Sequence, residues 1–377
     1  MRSSNLFAFL VSAASVVGAI SLSGAILPKI DLPKDSPVVV IGADYDGSTE
    51  TPRGGAVMVD LHAALSLRNS SGRHIRGITL LVHSQEATPG GKGSVTLTSL
   101  DIAPGETFPV HMDVRLLRPV TSLGGPLQLG LDGVLFDDLS FYGPDSLQSR
   151  HTLTAYEFEA RRDRRYFKAL LTDGGPERLK QEILASLARQ TDRPDMEVRM
   201  GVQLARGSRA TNLEPERPVQ FALLHFPDSP IEPTEGMAKV AGNEARAPLL
   251  EVRNKSDRAV RYLEIGWLLK DGKGRQFMAG TVPATLNVAP GEKAQVLKET
   301  TLKFPQLGSG PASSIDSMTA FVNNVEFADG KMWVPSRADL SDPRLQSVLA
   351  PSPEEQRLVQ LYRKKGLNAL IDELKKF

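Results

Sequence analysis

The chain has no cysteine. That excludes a disulfide, a thiolate metal site and a cysteine nucleophile, so each folded unit must hold together by core burial. It also excludes a lipid anchor joined through a cysteine thioether. A charge excess is missing too. Lys and Arg number 45 against 44 Asp and Glu, and a balanced chain offers no field for nucleic acid to follow. Histidine is scarce, and none of His62, His74, His83, His111, His151 and His225 falls in a pair spaced for zinc. His83 with Glu86 is the nearest local pairing, and it reads as a strand-end histidine near solvent. No Gly-x-Ser-x-Gly elbow occurs. Gly90-Gly91-Lys92-Gly93-Ser94 lacks the spacing of a phosphate loop and reads as a hairpin tip. Asp44-Tyr45-Asp46-Gly47, with Glu50 following, lacks the alternate acids of a calcium loop and reads as a turn. These absences leave no catalytic residue, no cofactor site and no metal site to nominate.

What the chain does have is a repeat. Leu67-Arg68-Asn69-Ser70-Ser71 returns as Val252-Arg253-Asn254-Lys255-Ser256. Leu100-Asp101-Ile102-Ala103-Pro104-Gly105-Glu106 returns as Leu286-Asn287-Val288-Ala289-Pro290-Gly291-Glu292. Val134-Leu135-Phe136-Asp137-Asp138 returns as Val325-Glu326-Phe327-Ala328-Asp329, an offset of 191 positions. The same offset places Tyr142 on Trp333, Pro144 on Pro335 and Gly175 on Gly366. Segments that keep apolar spacing and turn residues share a fold.

Between the repeated turns lie short apolar runs separated by Gly, Pro, Asn and Asp, the pattern of a sandwich or barrel. Val38–Ile41, Val57–Leu67, Ile75–Val82, Val95–Ile102, Phe108–Leu116 and Val134–Tyr142 are the predicted strands of the first copy, with Leu127-Leu129-Leu131 alternating between them. Val260–Leu269, Phe277–Val282 and Met318–Phe327 repeat the scheme, and Met196–Leu204 and Val219–Phe226 predict extra strands in a larger second copy. Helix formers follow each set. Pro176 after Gly174-Gly175 can open a helix at its first position, and Ser352-Pro353-Glu354-Glu355 fits a capping box.

The second copy, from Leu249 through Val260 to Pro290-Gly291-Glu292, resembles the immunoglobulin-like modules of bacterial envelope proteins, including the FxLYD type. The shared pattern is a strand, an Asn-x-Ser turn, a strand, a Gly hairpin and a Pro-Gly-Glu turn. The FxLYD tetrapeptide itself is absent. The resemblance implies a sandwich in an extracytoplasmic setting and no particular activity. One N-terminal apolar segment before such a body also resembles the sensor end of BlaR-type membrane regulators, whose His-Glu-x-x-His motif is absent here.

Leu6 to Leu27 runs without a charge, long enough to cross a bilayer or to act as a secretory signal, with small residues at Ser23-Gly24-Ala25. The expected order is therefore a mainly β chain: a signal or anchor helix over 1–30, a first immunoglobulin-like β-sandwich over 38–150, a helical hairpin over 151–192, a larger second sandwich over 196–340 and a C-terminal helical hairpin over 341–377. The expected location is the cell envelope, periplasmic or extracytoplasmic. Arg161, Arg164, Arg165 and Lys168 share a helical face and form the candidate interaction surface for a protein partner or a membrane surface. The expected role is a non-catalytic, exported or membrane-anchored interaction or scaffold module. A sensory or ligand-binding ectodomain using a cleft between the copies is the alternative, and an enzyme with dispersed catalytic residues is the third.

Overall fold

The computed structural model describes residues 28–84, 91–119, 127–190, 199–202, 215–298, 300–304 and 314–377. The predicted apolar helix over 6–27 and Glu86 lie outside them. Strand makes up 48% of the chain and helix 24%, so the mainly β class holds.

The first copy contains β1 (Lys29–Asp31), β2 (Val38–Asp44), β3 (Thr49–Arg53), β4 (Ala56–Asn69), β5 (Ile75–His83), β6 (Lys92–Leu97), β7 (Thr107–Pro119), β8 (Gln128–Phe136) and β9 (Phe141–Tyr142). β4 shows why these form: Val59, Leu61, Ala63, Leu65 and Leu67 alternate with outward residues, so one face is buried. β4 pairs antiparallel with β2, β3 and β7, while β8 pairs with β5, β9 and, in parallel, β1. Residues of both sheets meet in one core, with Leu61, Met112, Ile78 and Val134 inside it. Two predicted strands end earlier than expected. β6 stops at Leu97, and Ser99 turns the chain with φ 55° before Ile102 bridges back to Ile75. Leu139, with φ 65°, breaks the run between β8 and β9.

A long helix, α1 (Ser149–Gln190), leads to the second copy. There β10 (Arg199–Val202), β11 (Arg217–Leu223), β12 (Ile231–Ala241), β13 (Glu244–Asn254), β14 (Val260–Asp271), β15 (Gln276–Val288), β16 (Lys293–Val296), β17 (Thr300–Lys303), β18 (Ile315–Phe327) and β19 (Met332–Trp333) follow. β13 takes the place of β4, β14 of β5 and β18 of β8. β11 pairs antiparallel with β12 through Arg217–Gln220, then parallel with β18 through Phe221–Leu223. That one strand passes between the sheets and joins them into a continuous ten-stranded ladder. Trp267 is fully buried in this core, with the Phe221 ring edge-on 5.0 Å away.

The repeated turns have matching chemistry. Asn69 donates from Nδ2 to the carbonyls of Arg73 (2.8 Å) and Ile102 (3.0 Å). Asn254 donates to the carbonyls of Arg258 (2.8 Å) and Val288 (3.0 Å). Each Oδ1 accepts from the serine two positions on, Ser71 and Ser256, at 2.7 Å. Both asparagines are fully buried, where an unpaired amide is costly, and both are satisfied. Arg73 lies over the Phe136 ring and pairs with Asp138; Arg258 lies over the Phe327 ring and pairs with Asp329.

After β19 come a 3-10 turn (Asp339–Ser341), α2 (Pro343–Gln346) and α3 (Pro353–Lys375). Both long helices break at a glycine in one conformation: Gly175 has φ 71°, ψ −177° and Gly366 has φ 82°, ψ −177°. That region of backbone space is open to glycine almost alone. Residues on either side of both breaks share one apolar core. Phe167, Leu179 and Ile183 pack with Leu358, Leu370 and Leu374, each pair 191 positions apart. The two helical tails thus form one hub between the copies. Burying each of these side chains contributes on the order of 1.5–3 kcal/mol.

Candidate functional site

A cleft of about 540 Å3 opens where the hub meets the second copy. α1 supplies Glu159, Arg162, Tyr166, Glu182 and Arg189. The segment from Pro335 through Ser352 forms the facing wall, with Glu355 of α3 and Asn323 of β18 completing it. Local sequence explains that wall. Asp342 caps α2 by accepting from the Arg344 N–H, and Ser352 caps α3 by accepting from the Glu355 N–H at 3.1 Å. Pro343 and Pro353 open the two helices, so the chain between them cannot run as one. The capping box is half made: the Glu355 carboxylate turns into the cleft and accepts from Arg337 (2.5 Å) and Arg189 (2.9 Å).

Ion pairs fill the floor. Arg162 grips Asp163 with two nitrogens, at 2.8 and 3.1 Å, and donates a third hydrogen bond to the Pro335 carbonyl. Ser352 Oγ donates to the same aspartate at 2.5 Å, tying α3 to α1. Arg189 bridges Glu182 and Glu355. Arg337 lies 4.6 Å above the Tyr166 ring and reaches Glu355, with Asp163 and Glu182 further off. Burial alone would push Glu355 up, but Arg337 and its neighbours overcome that and hold its carboxyl below the usual range. Burial pushes the Tyr166 phenol up.

Glu159 is the exception. It has no hydrogen bond or ion pair among the described residues. Burial raises its carboxyl to about 7; Arg162 acts against that rise, while Asp163 and Glu264 add to it. Glu264, on β14, accepts from Asn323 and Asn324, so a second carboxylate stands behind the cleft wall.

A smaller polar cluster docks the start of α1 on the second copy. His151 Nδ1 and Glu326 are 2.7 Å apart, both almost fully buried, and the imidazole lies 3.8 Å from the Tyr262 ring. Arg261 holds the other Glu326 oxygen. Burial would raise Glu326, but His151 and Arg261 prevail and lower it.

The four residues of the predicted interaction face do not form one open surface. Arg165 and Lys168 are exposed. Arg161 is 38% exposed at its side chain and donates to Glu157 and to the Asp137 carbonyl. Arg164 is buried: it pairs with Glu157 at 2.7 Å, approaches Glu354 at 3.8 Å and lies 4.2 Å from the Phe377 ring centre. Among the described residues no group of three acidic or imidazole side chains is placed to hold a metal ion, and no helix is long and apolar enough to cross a membrane. The cleft as a site could not be read from the sequence, because its walls come from segments more than 130 positions apart.

No family model matches the chain. No curated protein matches it either. A solved structure named "pT26-6p" aligns over 88% of this chain and 73% of its own at 10% identity, with a TM-score of 0.15. A likeness that slight carries no argument about this protein.

Proposed function

We propose that this is a non-catalytic interaction or scaffold protein of the cell envelope, exported or membrane-anchored through residues 6–27. Its two copies are read as immunoglobulin-like sandwiches over 38–150 and 196–340. The strand arrangement supports that reading: a central pair in each sheet, β4 with β7 and β5 with β8, encloses one core. The observation that carries the scaffold reading is the shared hub. Phe167, Leu179 and Ile183 of one tail and Leu358, Leu370 and Leu374 of the other cannot be buried by either copy alone. A hub of that kind fixes the angle between two binding bodies, which is what a scaffold requires. Arg165 and Lys168 remain the open cations of the predicted face for a partner or a membrane surface.

Spin labels test the rigidity directly, because the chain has no native cysteine. Thr51→Cys with Lys273→Cys places one label on each copy, both at exposed positions. One narrow distance distribution is expected; a broad one would sink the scaffold reading. Fractionation of producing cells checks the location, and a cytosolic chain would remove the envelope from the proposal.

The alternative, a sensory or ligand-binding ectodomain, is favoured by one observation, the cleft itself. Its volume suits a small ligand, and it lies where the two helical tails meet the second copy.

A further inference from the structure

We infer that the cleft takes a ligand with an ammonium or guanidinium group on a short apolar stem, with Glu159 as its counter-ion. This deepens the ligand-binding reading and rests on it.

The charges of the cleft give the ligand its sign. Arg162 is matched by Asp163, and Arg189 and Arg337 are matched by Glu182 and Glu355. One carboxylate is left over, Glu159, with neither an ion pair nor a hydrogen bond among the described residues. An anionic ligand meets no free guanidinium here; it must first break an existing pair, which leaves a buried carboxylate unmatched. A cation meets a partly buried carboxylate that opens on the cleft and lacks a partner among the described residues. Glu264 adds to the negative potential from β14, behind the Asn323 amide. Arg162 opposes it, but its charge is held by Asp163 through two hydrogen bonds.

The rest of the cavity selects the stem. Leu340, Leu349 and Pro351 line the wall facing α1. They offer a surface for a few methylenes, and the other charged groups of the lining are already paired with one another. A free amine and the side chain of a lysine or arginine both have this chemistry.

Proton linkage follows from the same geometry. Glu159 holds its proton up to about pH 7 in the free protein, and a bound cation favours the ionised form. Binding therefore releases a proton near neutrality, and affinity rises from pH 6 to pH 8.

Titration calorimetry on the full chain tests this with six probes. Pentylamine and butylguanidine are free monocations; acetylated and amidated Gly-Lys-Gly and Gly-Arg-Gly carry the same heads on peptides; 1-pentanol and glutarate are the neutral and anionic controls. Saturable binding of the cations is expected, stronger at pH 8 than at pH 6. Glu159→Gln is expected to weaken it about tenfold, the scale of a lost charge-assisted contact. Retained cooperative melting of that variant shows that the loss is not one of fold. Binding by the tripeptides alone identifies a protein side chain as the source; binding by both sets supports the shared chemistry. Equal binding of pentanol or glutarate, or unchanged binding by Glu159→Gln, overturns the cationic ligand and leaves the ligand-binding reading standing. No saturable response from any probe overturns both.

Discussion

The first copy runs a continuous helix from Ser149 to Gly174 where the second copy has a broken chain. At the offset of 191, the opening of α1 falls on the 3-10 turn, α2 and the link to α3. Arg162 falls on Pro353, Glu159 on Ala350 and His151 on Asp342. Proline in a helix interior loses a hydrogen bond and clashes with the preceding turn, at a cost of about 3 kcal/mol. The second segment therefore cannot copy the first. The opening of α1 packs on β5 and β8 of the first copy and reaches the second through His151 on Glu326, and the broken segment forms the opposite wall of the cleft. Similarity between the copies builds the hub; divergence between them opens the site.

The hub is where that comparison is easiest to break. Phe167→Ala is expected to cost about 3–5 kcal/mol and Leu358→Ala about 2–5, since both side chains are fully buried in one core. If the hub is shared, either variant lowers the urea midpoint of both copies, followed by probes placed in each. A shift confined to the copy that carries the substitution would show two independent tails.

The asparagine turns give the opposite expectation. Asn69→Ala and Asn254→Ala each remove two hydrogen bonds donated by the amide and one it accepts from a serine, for a loss of about 1–3 kcal/mol. Each loss belongs to one copy. Hydrogen exchange should speed up around the altered turn and stay unchanged at its counterpart; equal acceleration at both would contradict the separate cores.

What the sequence revealed was local, and what it hid was distant. The Asn-x-Ser turns, the Pro-Gly-Glu turns and the Ser352 cap depend on residues a few positions apart, so their motifs could be read directly. The burial of Arg164 depends on Glu354, about 190 positions away, and helical periodicity alone set it beside Arg165 and Lys168. β1 and β3 have no run of apolar residues to announce them; they form because β8 and β4 present open edges. Glu159 gave no signal either. Its neighbours in sequence are charged and helical, and only the fold shows which carboxylate goes unmatched.

That carboxylate supplies a pH-dependent difference between the copies, because its counterpart Ala350 cannot titrate. Folding raises Glu159 from 4.5 to about 7, so the folded chain keeps the proton longer than the unfolded chain does. Stability is therefore lost as pH rises from about 4.5 through 7, by at most roughly 3 kcal/mol. Glu159→Gln removes the penalty. The variant should melt with the parent at pH 4 and above it at pH 8, by about 1–2 kcal/mol after relaxation and water access. A variant less stable than the parent at pH 8 would mean that Glu159 has a stabilising partner after all.

The smallest effect tests whether the copies still share backbone conformation. Gly105 and Gly291 sit at φ 79° and 78°, each following a proline and each donating its N–H to the carbonyl of Asn69 or Asn254. A Cβ at either position meets nothing within 4 Å, so crowding plays no part. What remains is the strain of a left-handed residue, about 1 kcal/mol for alanine. Gly105→Ala and Gly291→Ala should therefore lower the stability of their own copies by nearly the same amount, read by denaturant midpoint. Two equal losses would show that one turn has kept its geometry through the duplication. A loss at one glycine and none at the other would mean that the second turn can relax out of its left-handed shape, and the matching distances at Asn69 and Asn254 would then hide different rigidities.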